Sequence, residues 1–149
     1  MIRDLTIDDL PQLLELSREM HQAGVYADYP MDEARVMYIL TRLIEVPEAL
    51  SIGYEAKGEV VGALLGEVVQ DLWIDVQVAI DHAFYVRAAN RRSRAGVLLL
   101  RAFETWAHKN NADVIRPVVY AGVDNKAADD VLRRMGYNAA GALYNKEIA

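Results

Sequence analysis

The chain contains no cysteine in its 149 residues. This excludes a disulfide framework and a thiolate nucleophile, and it leaves the redox compartment unmarked. Four prolines and nine glycines form no low-complexity tract or linker, and no internal repeat is visible. No apolar run approaches the ~18 residues that a membrane span needs. The opening stretch MIRDLTIDDL lacks the apolar core of a secretion signal, so a soluble cytoplasmic protein is expected. A broad basic footprint is also missing: the net charge is −6, which argues against nucleic acid as a partner. Three scattered histidines, His21, His82 and His108, make no metal set, so no metal is expected. Ser93 lies outside any G-x-S-x-G context, which removes the usual hydrolase nucleophile.

The chain does have an ordinary globular balance, 53% hydrophobic and 26% charged. Its length fits a single domain, residues 1–149, with a sizeable core. Against the net negative charge, one window is strongly cationic. Between Asp81 and Glu104 there is no acidic residue, while Arg87, Arg91, Arg92, Arg94 and Arg101 all fall there. The apolar run Phe84-Tyr85-Val86 reads as a buried strand, and Val97 to His108 as a helix with Leu99, Phe103 and Trp106 on one face. Strand, cationic turn and helix together make an anion site, because the free N–H groups and dipole at a helix N-terminus favour phosphate.

The remaining elements follow from periodicity. Ile2 to Leu5 is a short strand, and Thr6 to Asp9 starts a helix that tolerates Pro11 in its first turn. That helix runs to about His21. Gly24 to Pro30 is a loop rich in tyrosine, and Asp32-Glu33 opens a second helix that stops before Pro47. Leu50 to Ala56 and Val60 to Val69 read as a hairpin. Ile74 or Val76 to Val86 forms the next strand, and Val114 to Ala121 another, whose Pro117 suggests an edge or a bulge. Asp124-Asn125 caps a last helix, Lys126 to Met135, closed by Gly136, and Leu143 to Ile148 is a final strand candidate. The order β-α-α-β-β-β-α-β-α-β predicts an α+β or α/β domain with a mixed sheet flanked by helices.

Two local signatures in this order resemble the GNAT superfamily of acyl-CoA-dependent N-acyltransferases. The family's pyrophosphate loop, Q/R-x-x-G-x-G/A, corresponds to Arg91-Arg92-Ser93-Arg94-Ala95-Gly96, with the leading Arg and final Gly matched and Arg94 in place of the middle Gly. The segment N-x-x-A-x-x-x-x-x-x-x-G-F/Y matches through Asn125, Ala128, Gly136 and Tyr137. The opening, Ile2 through Asp9, also looks like the family's first strand and helix start. The resemblance implies a mostly antiparallel mixed sheet with about four helices, and transfer of an acetyl or short acyl group from acetyl-CoA to an amine. It implies that Phe84, Tyr85, Val86, Arg91, Arg92, Ser93, Arg94, Ala95, Gly96, Val97 and Asn125 contact CoA, with Lys126 and Arg133 as candidates for its 3′-phosphate. Arg92 and Arg94 add long cations where the family has glycine, so one of them is expected to reach a CoA phosphate. Partners are then acyl-CoA and an amine acceptor, with neither nucleic acid nor membrane, and a homodimer is the oligomer that the relatives suggest. A non-catalytic acyl-CoA-binding or protein-interaction module is the alternative, and a domain whose arginines meet an acidic protein surface is a third.

The catalytic residues stay open at this level. The position where the family often carries a tyrosine acid is Leu132, so Tyr137, Tyr144, Tyr120 or water would protonate the departing thiolate. A base for the amine is sought on the strand before the loop, where Asp81 and His82 are the polar residues. As neighbours on a strand they would face opposite sides, leaving one for the cleft. His82 has the more suitable ordinary pKa, Asp81 would need burial to raise its own, and Glu67 is a third candidate. Tyr26 and Tyr29 are candidate substrate contacts, with Asp28 favouring a cationic amine.

Overall fold

The structure, a computed structural model, describes residues 1–118 and 125–148. Five strands form one sheet in the order β1-β2-β3-β4-β5: β1 (Ile2–Asp4), β2 (Leu50–Ala56), β3 (Glu59–Gln70), β4 (Gln77–Val86) and β5 (Val114–Arg116). The first four pair antiparallel, and β4 pairs parallel with β5. Among the described residues four α-helices cover it: α1 (Leu10–Ala23), α2 (Glu33–Glu45), α3 (Ala95–Lys109) and α4 (Asn125–Arg134).

Local chemistry sets the helix ends. Asp9 accepts the N–H of Thr6 at 2.8 Å and is clamped by both terminal nitrogens of Arg3 at 2.9 and 2.8 Å. This fixes β1 against the start of α1. Asp32 caps α2 by accepting the N–H of Arg35 at 3.0 Å. Past α4, Gly136 takes the left-handed conformation, φ +93°, that ends a helix without a Cβ penalty.

The sheet separates two apolar layers. Leu13 and Leu16 of α1 and Leu40 and Leu43 of α2 pack with Ala63, Leu65 and Tyr85. On the other side Leu99, Leu100, Phe103 and Ala107 of α3 pack with Leu50, Ile52, Leu64 and Ala79, and Val131, Leu132 and Met135 lie against the same cluster. β3 is buried on both faces from Val60 to Gly66, which is why its sequence is an unbroken apolar run. Phe103 is fully buried and stacks on Trp106 at 6.0 Å; truncating such a side chain costs about 3–5 kcal/mol.

Two expected strands differ. Val114 to Ala121 is strand only over Val114–Arg116, with Pro117 and Val118 outside it and the remainder outside the described residues. Leu143 to Ile148 is not a strand, and Leu143, Tyr144 and Ile148 stand exposed. Alternation makes a strand only where a neighbouring edge offers unpaired backbone groups, and the three described residues of β5 offer little. Among the described residues no helix is long and apolar enough to cross a membrane.

Candidate active site

The strand β4 carries the site because its pairing with β5 ends partway along and its register with β3 slips at the same point. On one side, β5 accompanies it only through the pairs Val78 with Val114, Ala79 with Ile115 and Ile80 with Arg116. From Asp81 onward no described residue pairs with that edge. On the other side, the register with β3 slips: Leu65 faces Ala83 and Gly66 faces Asp81, so His82 has no partner. A bulge of this kind re-aims side chains and bends the strand. Gly66 is required there, because a Cβ on it would stand 2.5 Å from the carbonyl oxygen of Ile80.

The consequence is a cavity of about 320 Å³ where β4 and β5 part, bounded by α1, α2 and the loop after α1. Asp81, His82, Ala83 and Phe84 all line it. Asp81 and His82 thus both border the cavity, and their side chains take different partners, Val118 and Glu67. The cavity runs along the edge of the bulged strand, so it borders four consecutive residues of β4.

The polar groups that β4 and α1 bring to the cleft are held. Asp81 Oδ1 accepts the N–H of Val118 at 2.8 Å, tying the end of β5 to the point where the strands separate. Burial pushes its carboxyl above the usual range, although that N–H acts in the opposite sense. His82 Nε2 lies 2.7 Å from Glu67 Oε2 on β3, and Arg42 of α2 stands 3.7 Å from the other Glu67 oxygen. Glu67 thus orients the imidazole, and Nδ1 of His82 makes no hydrogen bond to a described residue. His21 Nε2 donates to the carbonyl of Tyr29 at 2.7 Å, which ties the tyrosine loop to α1. Tyr26 lines the cavity and Tyr29 does not.

The cationic loop lies at the far end of β4. Its leading arginine is engaged internally: Arg91 donates from Nε to the carbonyl of Val86 at 3.0 Å and from a terminal nitrogen to the Tyr85 hydroxyl at 3.1 Å. Its guanidinium also sits 5.2 Å from the Tyr85 ring centre. Ser93 donates to the Asn90 carbonyl at 2.5 Å and accepts the Ala95 N–H at 3.2 Å, which starts α3 two residues before the expected Val97. By contrast, Arg92 and Arg94 are exposed, and neither pairs with a carboxylate among the described residues. The N–H groups of Gly96 and Val97 precede the first helical bond, which Leu98 makes to Arg94, and so point out of the helix end. A Cβ on Gly96 would still be 3.9 Å from Phe84 and Val86. The chain's own packing therefore leaves room there for a ligand against the backbone, and a pyrophosphate fits this cradle.

Other candidates lie elsewhere. Tyr137 donates to Glu104 on α3 at 2.8 Å and is not among the lining residues of the cleft. Burial and that hydrogen bond hold its hydroxyl well above the usual tyrosine range. Lys126 and Arg133 pair along α4 with Asp130 at 3.1 Å and Asp129 at 2.8 Å. Tyr144 is exposed. Asn125 opens α4, but its side chain, like Tyr120 and Asp124, lies outside the described residues. Sequence reading missed Ser17, Met20, Met31, Val36, Ile39 and Val118 as lining residues. Met20, Val36 and Ile39 were legible only as apolar positions of amphipathic helices. Among the described residues no group of three or more His, Asp or Glu is placed to hold a metal.

The profile of the acetyltransferase (GNAT) family matches residues 10–137. No curated protein matches the sequence. Among solved structures, a mutant of the BH1408 protein from Bacillus halodurans is similar with a TM-score of 0.81 at 15% identity, covering 100% of this chain and 99% of that one. The aminoglycoside antibiotic 6'-N-acetyltransferase AAC(6')-IG from Acinetobacter haemolyticus is similar at 0.73 and 19%, covering 100% and 99%. The ribosomal-protein-alanine N-acetyltransferase from Brucella melitensis biovar Abortus 2308 is similar at 0.72 and 14%, covering 99% of each chain. At these identities the structures speak to the fold, whereas the profile spans most of the sequence: the chain belongs to the acetyltransferase (GNAT) family.

Proposed function

We propose that this protein transfers an acetyl group from acetyl-CoA to a primary amine in the cleft where β4 and β5 part. The observation that carries this reading is the placement of both chemistries on one strand. Asp81 and His82 stand at its fork, and the Gly96 and Val97 N–H groups stand beyond its C-terminal end with Arg92 and Arg94, unpaired among the described residues. A thioester lying along the edge of β4 beyond its pairing with β5 would have its phosphates at the helix end and its carbonyl near the fork.

In this scheme Asp81 attracts the incoming ammonium, and His82 takes its proton at Nδ1 while Glu67 holds Nε2–H. The nitrogen lone pair then attacks the thioester carbonyl. The C–N bond forms and the C–S bond breaks, the thiolate leaving with the sulfur's electron pair, and the second proton shed by the attacking nitrogen passes through water to that thiolate. A thiolate is a good enough leaving group for Leu132, partly buried against the α3 cluster, to stand where the family often has an acid.

The second reading is acyl-CoA binding without turnover, favoured by Leu132 and by the Tyr137–Glu104 bond that occupies one alternative acid. Free-thiol release from acetyl-CoA with a panel of amines separates the two. Turnover that falls about 10²-fold in His82→Ala supports the first. Thermal stabilisation by acetyl-CoA, about 2.7 kcal/mol at a hundredfold excess over Kd, without thiol release supports the second. No stabilisation at all overturns both.

A further inference from the structure

The geometry points to an acceptor with a single amine on a compact apolar body, rather than a polyamine, an aminoglycoside or a sugar amine; this rests on reading the β4–β5 fork as the acceptor site. Polar capacity among the described lining residues is limited to a few groups. Among the lining residues, Ser17 donates to the carbonyl of Leu13 at 2.8 Å and His21 to that of Tyr29, so both are satisfied by the chain itself. Among the described residues, the groups left for a ligand are Asp81 and His82 on β4 and the phenol of Tyr26 on the loop. The wall facing the fork is Met20 of α1, Met31 just before α2, and Val36, Ile39 and Leu40 of α2.

One described carboxylate lines this cavity, Asp81. Glu67 stands behind it, already shared between His82 and Arg42. A single ammonium is thereby matched. A second ammonium, or a ring of hydroxyls, would sit against Met20, Met31 and Ile39 and lose its water without gaining a partner, which is unfavourable for any buried polar group. An apolar body gains from the same contact. The volume, about 320 Å³, lies at the small end for ligand pockets, so the body is about the size of a phenyl or branched alkyl group. Two methionines in the wall add tolerance of shape, since their unbranched thioethers repack readily.

The test measures kcat/KM by thiol release, with acetyl-CoA saturating, for 2-phenylethylamine, isopentylamine, spermidine and neamine. The expected result is a preference of at least tenfold for the two apolar monoamines. Ile39→Asp, at a half-exposed helix position, is expected to cut turnover of 2-phenylethylamine about tenfold and to narrow its lead over spermidine. Equal or better turnover of spermidine or neamine overturns the inference while leaving the acetyl-transfer reading intact. If no amine is turned over although acetyl-CoA binds, the transfer reading fails. Calorimetry of 2-phenylethylamine against neamine then decides the pocket's class by itself: tighter binding of the apolar amine, weakened by Ile39→Asp, supports it, and tighter or equal binding of neamine overturns it.

Discussion

The carboxylate of Asp81 accepts the backbone N–H of Val118 at 2.8 Å, so the residue at the fork of the sheet both closes the end of β5 and faces the cavity. Burial raises its pKa, which means that its charge is held at a cost to folding. A carboxyl whose folded pKa lies above its unfolded value favours the fold most at pH below about 4, where it is protonated in both states. That contribution fades as pH rises through the folded pKa. Asp81→Asn keeps an acceptor for Val118 and removes the charge. It is expected to raise the Tm at pH 7 and to leave it unchanged near pH 3, while lowering kcat/KM for the amine about 10- to 100-fold. Melting curves across pH together with thiol-release kinetics check both halves. A loss of stability at pH 7 would contradict the assignment.

The arginines of the loop divide by what they touch. Arg92 and Arg94 are exposed and free for a phosphate, so Arg92→Ala and Arg94→Ala should each weaken acetyl-CoA binding about 3- to 10-fold at low salt, with the difference shrinking at high salt. Arg91→Ala removes the bonds to Val86 and Tyr85 and should instead lower stability by about 1–2 kcal/mol. Calorimetric titration at two ionic strengths, with melting curves for each variant, separates the two classes. Equal salt dependence in all three variants would count against the division.

Most of the fold was legible from periodicity and punctuation, because each helix is bounded by a residue with a local reason to be there. Asp9 and Asp32 mark helix starts and Gly136 a helix end, and those functions act within four residues of the chain. The α3 start shifted by two residues because a side-chain bond, Ser93 to Ala95, decides it. The anion loop was legible for the same local reason, as a charge window between a strand and a helix. The cleft was not. That Asp81 and His82 share it depends on a one-residue slip between β3 and β4 and on where β5 leaves, neither of which alternation encodes. Likewise the apolar wall from Met20 to Ile39 reads in sequence as ordinary helix faces; only their meeting opposite β4 makes them a binding surface. Glu67 was visible as a candidate, but its role beside His82 rests on a cross-strand contact fifteen residues away in sequence.

The Arg3–Asp9 pair gives a pH dependence of the opposite sign. The hydrogen bonds from Arg3 lower the Asp9 carboxyl from 3.8 to about 2. A depressed folded pKa adds stability that is complete above about pH 4 and is lost as pH falls towards 2. The shift corresponds to about 2 kcal/mol, and Asp9→Asn should lose about this amount at pH 7 and little near pH 2. Denaturant melts at several pH values check it. A constant difference between the two proteins down to pH 2 would show that the loss comes from packing and not from charge.

Gly66 links stability to the site. A methyl group there would come within 2.5 Å of the Ile80 carbonyl and 3.2 Å of the Phe103 ring, and the first contact is with backbone, which cannot swing away. Gly66→Ala therefore has to move β4 relative to β3 at the bulge that presents His82. The expected cost is about 2–4 kcal/mol of stability, with kcat/KM for the amine falling further than the affinity for acetyl-CoA, because the helix end at Gly96 lies beyond the far end of β4. Gly62→Ala serves as the comparison: it crowds the same strand, with contacts of 3.1 Å to Val86 and 3.3 Å to Leu99 and the Tyr85 carbonyl, but sits away from the register slip. If both variants reduce amine turnover in proportion to their loss of stability, the bulge has no special part in placing His82. If Gly66→Ala alone lowers turnover at a temperature where both remain folded, the slip between β3 and β4 is what sets the geometry of the cleft.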